Sequence, residues 1–102
     1  MMIDPAKVRR ESMRWYILIT LNTSRPVAPH EAVVLSTIQG MYPDATALEL
    51  RRELDYLVDR KMVSVEKSPS GPWSAGITSL GVDVVEYSVD CRAGIARPVK
   101  YW

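Results

Sequence analysis

The chain is short of the residues that most protein chemistry needs. It has one cysteine, Cys91, and one histidine, His30, in 102 residues. A single cysteine closes no intrachain disulfide, whereas small secreted domains usually carry several. One Cys and one His also fall short of the four ligands of structural zinc, so neither a metal nor a cofactor is expected. Cys91 reads as a small, partly buried apolar residue rather than a reactive thiol. His30, at the start of a predicted helix, reads as a surface or capping residue. No Ser/His/Asp or Cys/His set can be assembled, and no glycine-rich phosphate loop precedes a helix. The acid pair Glu53/Asp55 falls on a solvated helix, so the chain is not expected to be an enzyme.

Long apolar runs are missing too. The longest, "WYILI" at residues 15–19, is far too short to span a bilayer. The opening "MMIDPAKVRRESMR" turns charged at once, unlike a signal peptide, so no membrane and a cytoplasmic location are expected. Charge of one sign is also lacking. With 13 basic and 12 acidic residues the net charge is +1, and no global field draws the protein to DNA or an anionic membrane. The distribution is uneven. Residues 1–28 carry five basic and two acidic groups, 29–60 three and six, and 61–102 five and four. Any electrostatic footprint must be local.

What is present is the patterning of one ordinary globular domain, 47% apolar and 25% charged. Asp4-Pro5 opens a helix running to about Asn22, with Trp15, Leu18, Ile19 and Leu21 on its buried face and a basic stripe of Lys7, Arg10 and Arg14. "NTSRPVAP" breaks the chain. "HEAVVLSTIQGMY" follows as a second helix, burying Val34, Leu35, Ile38 and Met41 and stopping before Pro43. A third helix spans residues 46–60, opened by a Thr46/Glu49 capping box, with Leu50, Leu54, Leu57, Val58 and Ala47 along one face. The period then drops to two. Residues 62–67 and 73–77 alternate around the turn "SPSGP", which predicts a β-hairpin. Thr78 caps a last helix, "SLGVDVVEY", with Leu80, Val84 and Tyr87 aligned. Residues 89–102 show no clear period and form a tail, expected to dock on the domain or on a partner. Its terminal Tyr101-Trp102 is a candidate protein-docking element.

The predicted fold is mainly α with a β-hairpin (α+β), in the order helix, helix, helix, hairpin, helix. The run "LRRELDYLVDRKMVSVEKSPSGPWSAGITSLGVDVVE" resembles the winged helix-turn-helix family. It has a helix ending in L-x-x-L-x-x-[KR], alternating valines, a wing, then [IL]-T-x-x-G opening a helix. The resemblance covers residues 7 to 88 of a domain placed at 1–88. "YPDATALELRRELDYL" is also similar to small winged-helix proteins of Mu-like transposable phages. The resemblance implies double-stranded DNA binding, with the third helix in the major groove and the hairpin tip near the backbone or minor groove. A small phage or bacterial transcriptional regulator, dimeric through its terminal segment, fits that pattern. The same fold also serves protein–protein contacts, so an interaction module without DNA affinity is the alternative.

At 100° per residue, Arg52 lies opposite the buried face with Leu48 and Asp59, while Arg51 lies at right angles to it. Arg52 would then read guanine, Leu48 would touch a thymine methyl, and Tyr56 would donate to a phosphate. Arg51 would bond a flanking phosphate, a neighbouring element, or Asp55 four residues on. Thr46 at the helix head, Lys67 and Ser70 on the wing, and Arg9 and Arg10 on the first helix complete the candidate DNA-binding set. Against it stand Glu49, Glu53, Asp55 and Asp59, which leave the third helix formally net negative. The doubled arginine is either a reader of DNA or a pair of solvated partners for these acids. Trp73 reads as packing under the hairpin.

Overall fold

In the computed structural model, which describes residues 2–100, four helices and a two-stranded antiparallel hairpin form one α+β unit. The elements are α1 (Pro5–Ser24), α2 (Glu31–Gln39), α3 (Ala47–Asp59), β1 (Val63–Lys67), β2 (Trp73–Ile77) and α4 (Ser79–Val85). The central element is α1, which packs against α2, α3, α4 and β2. Asp4 starts it by accepting from the Ala6 and Lys7 amides through Oδ1, and Pro5 loses nothing at a position whose N–H is an orphan anyway. The helix runs two residues past Asn22. It buries Met13 and Ile17 with Trp15, Leu18 and Leu21, whereas Ile19 is only half-buried.

Helix α2 is shorter than the pattern suggested. After Gln39 the amides of Gly40 and Met41 bond back to Thr37 and Ile38 at 3.1 and 3.0 Å, a tightened last turn that leads away from the core. Met41 is therefore exposed, not on the buried face. In α3, Thr46 Oγ1 accepts the Glu49 amide at 3.2 Å, as the capping box requires. The reciprocal half is absent, because the Glu49 carboxylate bonds Arg9 of α1 instead.

The buried face of α3 is also rotated from the expected one. Leu50, Leu54 and Leu57 are buried, but Val58 is 38% exposed, Ala47 is exposed, and the fourth buried position is Glu53. The cause is α1, which lies on the 49/53/56 side of α3 and moves burial away from Val58. Glu53 is tolerated there because Arg14 Nε meets its carboxylate at 2.7 Å, the two side chains retaining 5% and 11% exposure. A buried charge without such a partner would be strongly destabilising.

The hairpin pairs Val63 with Ile77 through Lys67 with Trp73. Its far edge is covered by the segment before α2, where Ala75 N–H donates to the Pro29 carbonyl at 3.1 Å and His30 bridges Ser74. Thr78 caps α4 by accepting the Gly81 amide, and its hydroxyl donates to the Lys61 carbonyl at 2.7 Å. At Gly81 a Cβ would collide with the Met62 carbonyl and the Ile77 side chain, so glycine lets α4 close on the hairpin. The faces of α4 are set by that contact. Gly81 and Val84 are buried, and Leu80 is 40% exposed instead of lining the core.

After α4 the chain reverses at Tyr87 and returns across its own domain. Arg97 Nη1 donates to the carbonyls of Val84 and Val89 at 3.0 and 2.9 Å, and the Tyr87 hydroxyl donates to the Pro98 carbonyl at 2.8 Å. Ala96 N–H reaches the Glu11 carbonyl at 3.1 Å, and Arg14 Nη1 reaches that of Gly94 at 2.8 Å. Cys91 is half-buried beside this segment, where burial raises its thiol pKa, an effect that Arg97 only partly opposes. The expected docking element Tyr101-Trp102 lies outside the described residues.

Because the Arg14–Glu53 pair is buried, its two halves should not act independently. Arg14→Ala alone should cost roughly 3–5 kcal/mol in urea unfolding, by stranding Glu53. The double variant Arg14→Met/Glu53→Leu should recover most of that loss. Additive losses in the double variant would contradict a coupled pair.

Candidate nucleic-acid interface

Of the nine residues predicted to meet DNA, the structure engages six within the protein. Arg9 grips Glu49 with two parallel bonds, Nε to Oε2 at 2.7 Å and Nη2 to Oε1 at 2.9 Å, and reaches Asp44 at 2.9 Å. It also lies 4.8 Å from the centre of the Tyr42 ring. Hydrogen bonds to Glu49 and then Asp44 raise its pKa, and the same contact lowers that of Asp44. This guanidinium clamps the start of α3 to α1. A phosphate would have to displace two carboxylates to reach it.

Arg51 is engaged in the same way on the other flank. Its Nε and Nη2 hold Glu31 at 2.9 and 2.8 Å, Nη2 also donates to the Gly71 carbonyl at 3.0 Å, and the group lies 4.6 Å from the Trp73 ring centre. Asp55, the local partner considered for it, makes no ion pair among the described residues. The reason is direction. Arg51 faces the hairpin and the start of α2, where Glu31 also accepts the Trp73 amide and so offers a preformed, half-enclosed acceptor. Lys67 sits over the same indole at 4.5 Å, so Trp73 carries two cations. Arg51 thus fixes the hairpin's position against α2 and α3.

The remaining engaged residues are smaller cases. Thr46 serves as the α3 cap, and Ser70 exchanges a 2.8 Å hydrogen bond with Ser68 within the turn. The Tyr56 ring lies between two guanidinium groups, Arg14 at 3.6 Å and Arg60 at 4.7 Å. Its hydroxyl abuts Gly94, where a Cβ would collide with it and φ is +109°.

Leu48, Arg52 and Arg10 remain. Leu48 is 60% exposed, and Arg52 and Arg10 are exposed and make no ion pair among the described residues. They share one shallow groove of about 290 Å³ between the α1 and α3 N-terminal halves, which Glu49 and Glu53 also line. Asp55 and Asp59 are exposed on the same outward ridge of α3. What the arrangement offers a ligand is a short ridge with one free guanidinium, an apolar tip, a second arginine across the groove and two carboxylates further along.

Sequence reasoning missed Arg14, Glu53 and Glu31 as organisers of this surface. For Glu53 a signal existed, since its helical angle falls between Leu50 and Leu57 and the α1 side, where an acid needs a cationic partner. No protein-family model matches the chain, and neither does any curated protein or solved structure. Among the described residues no helix is long and apolar enough to cross a membrane, and no group of three or more His, Cys, Asp or Glu side chains is placed to hold a metal.

The Arg51 clamp predicts a pH dependence. Hydrogen bonds from Arg51, aided by the Trp73 amide, hold the Glu31 carboxyl below its ordinary value against the opposing effect of burial. A carboxyl lowered by folding contributes stability that is complete above its unfolded pKa and is lost as pH falls through its folded one. Glu31→Gln should therefore destabilise the protein at pH 7 and much less near pH 3, as read by urea unfolding at both values. Equal losses at the two pH values would show that the ion pair is not the source.

Proposed function

We infer that this protein is a winged helix-turn-helix protein that binds double-stranded DNA, a small transcriptional regulator of phage or bacterial type, with α3 laid in the major groove. The element order supports this, as does the hairpin that begins within four residues of the end of α3. The observation that carries the reading is the outward ridge of α3. It keeps Arg52 free while the arginines on both flanks are engaged by carboxylates.

In this reading Arg52 makes the bidentate contact to guanine O6 and N7, worth about 1–3 kcal/mol of discrimination. Leu48 meets a thymine methyl. Arg10, across the groove, takes the adjoining phosphate. Arg51 and Lys67 contribute by holding the wing through Trp73, not by touching DNA. The footprint is narrow, so affinity comes from few phosphate contacts. A second reading, a protein-interaction module, is favoured by one feature, the exposed Asp55 and Asp59 on the same ridge, which phosphates would repel.

A salt titration separates the two. Fluorescence anisotropy with a labelled random duplex should show micromolar binding at low salt, with log K falling against log salt at a slope of about −3, as expected for three to four phosphates neutralised. Arg52→Ala should weaken it without unfolding the domain. No binding at low salt, or a slope near zero, would exclude DNA and leave the interaction module.

A further inference from the structure

Beside the Arg52 ridge lies a second groove, about 430 Å³, walled by α1, the C-terminal half of α3 and the returning tail. Lys7, Arg10, Arg14 and Arg60 line it, with Glu11 the one carboxylate, and Ala93, Gly94 and Ile95 form the outer wall. Arg14 is neutralised by Glu53, but Lys7, Arg10 and Arg60 are exposed and make no ion pair among the described residues. What sets them apart is that all three converge on one groove. Arg9 and Arg51 each hold acids, and the chain as a whole is nearly neutral. Three exposed cations against the single Glu11 carboxylate leave the groove net positive, a local potential that favours a bound anion.

The groove is also built to last. Arg60 rests on the Tyr56 ring, whose other neighbour is Arg14 at 3.6 Å, so its guanidinium is oriented without using its donors. The tail wall is fixed by the Arg14 bond to Gly94 and the Ala96 bond to Glu11. Arg10 borders this groove and the Arg52 groove alike, so the two form one track along the α1–α3 seam.

We propose that this seam is the seat of the nucleic-acid phosphate backbone, gripped by Lys7, Arg10 and Arg60 against the tail, while the wing makes no equivalent contact. The inference rests on the DNA-binding reading above and adds where the backbone runs. The wing supplies little competition. Its one cation near the tip, Lys67, lies over Trp73, and its serines bond each other.

The test uses the full chain and a labelled random duplex in anisotropy titrations across salt. Lys7→Gln/Arg60→Gln should weaken binding to all sequences alike and make the salt slope shallower by about two. Lys7→Arg/Arg60→Lys should restore both. The control Arg25→Glu lowers the net charge by the same two units in a groove that shares no residue with the seam, and should leave affinity and slope nearly unchanged. Circular dichroism should show all variants folded, since every substituted side chain is exposed. If the parent binds DNA and the Lys7/Arg60 variant keeps its slope, or the control loses as much, the seam proposal fails alone. If the parent binds no DNA, both readings fail.

Discussion

The contact between Arg14 and Glu53 organises more of this protein than any other single interaction. It places a carboxylate on the core side of α3 and a guanidinium on the core side of α1, at 2.7 Å and almost out of water. From that one arginine, a second bond reaches Gly94 and a stacked contact reaches Tyr56. The packing of α1 on α3, the burial of α3 at residue 53 and the return of the tail all meet at this pair. Buried pairs of this kind add little net stability compared with apolar packing. What this one specifies is direction, since it bonds position 53 of α3 to position 14 of α1.

The same logic recurs at the two flanks of α3. Arg9 clamps its start to α1 through Glu49 and Asp44, and Arg51 clamps its middle to α2 and the hairpin through Glu31 and Gly71. Both are surface-facing arginines converted into braces. The consequence is functional as well as structural. A helix that is formally net negative loses its carboxylates Glu49 and Glu53 to internal pairing, so the acids left beside Arg52 are Asp55 and Asp59. What stays on the ridge is Leu48, Arg52, Asp55 and Asp59, and what stays on the seam is Lys7, Arg10 and Arg60.

Much of this fold was legible in the chain because its signals are local. Asp4-Pro5, Thr46 and Thr78 sit where helices begin, and the change of period after Arg60 marks the hairpin. Where reading failed, the deciding force came from a distant element. Glu49 was assigned to its own helix cap by sequence, yet a guanidinium forty residues away outcompetes that amide. Val58, Met41 and Leu80 fit helical stripes, but which stripe is buried depends on where α1 and the hairpin lie. For the candidate site the lesson is sharper. The outward direction of Arg52 was readable from helical geometry, whereas the engagement of Arg9, Arg51 and Tyr56 was not, since a cation's partner is set by tertiary proximity.

In the proposed DNA-binding reading, α3 presents a narrow ridge to the duplex while the hairpin serves as a brace. Amide chemical-shift mapping of the labelled protein with a short duplex tests this directly. The expected shifts concentrate on residues 46–60 and on residues 6–11 of α1, with residues 68–72 nearly unmoved. Shifts confined to the hairpin tip or to α4 would contradict it.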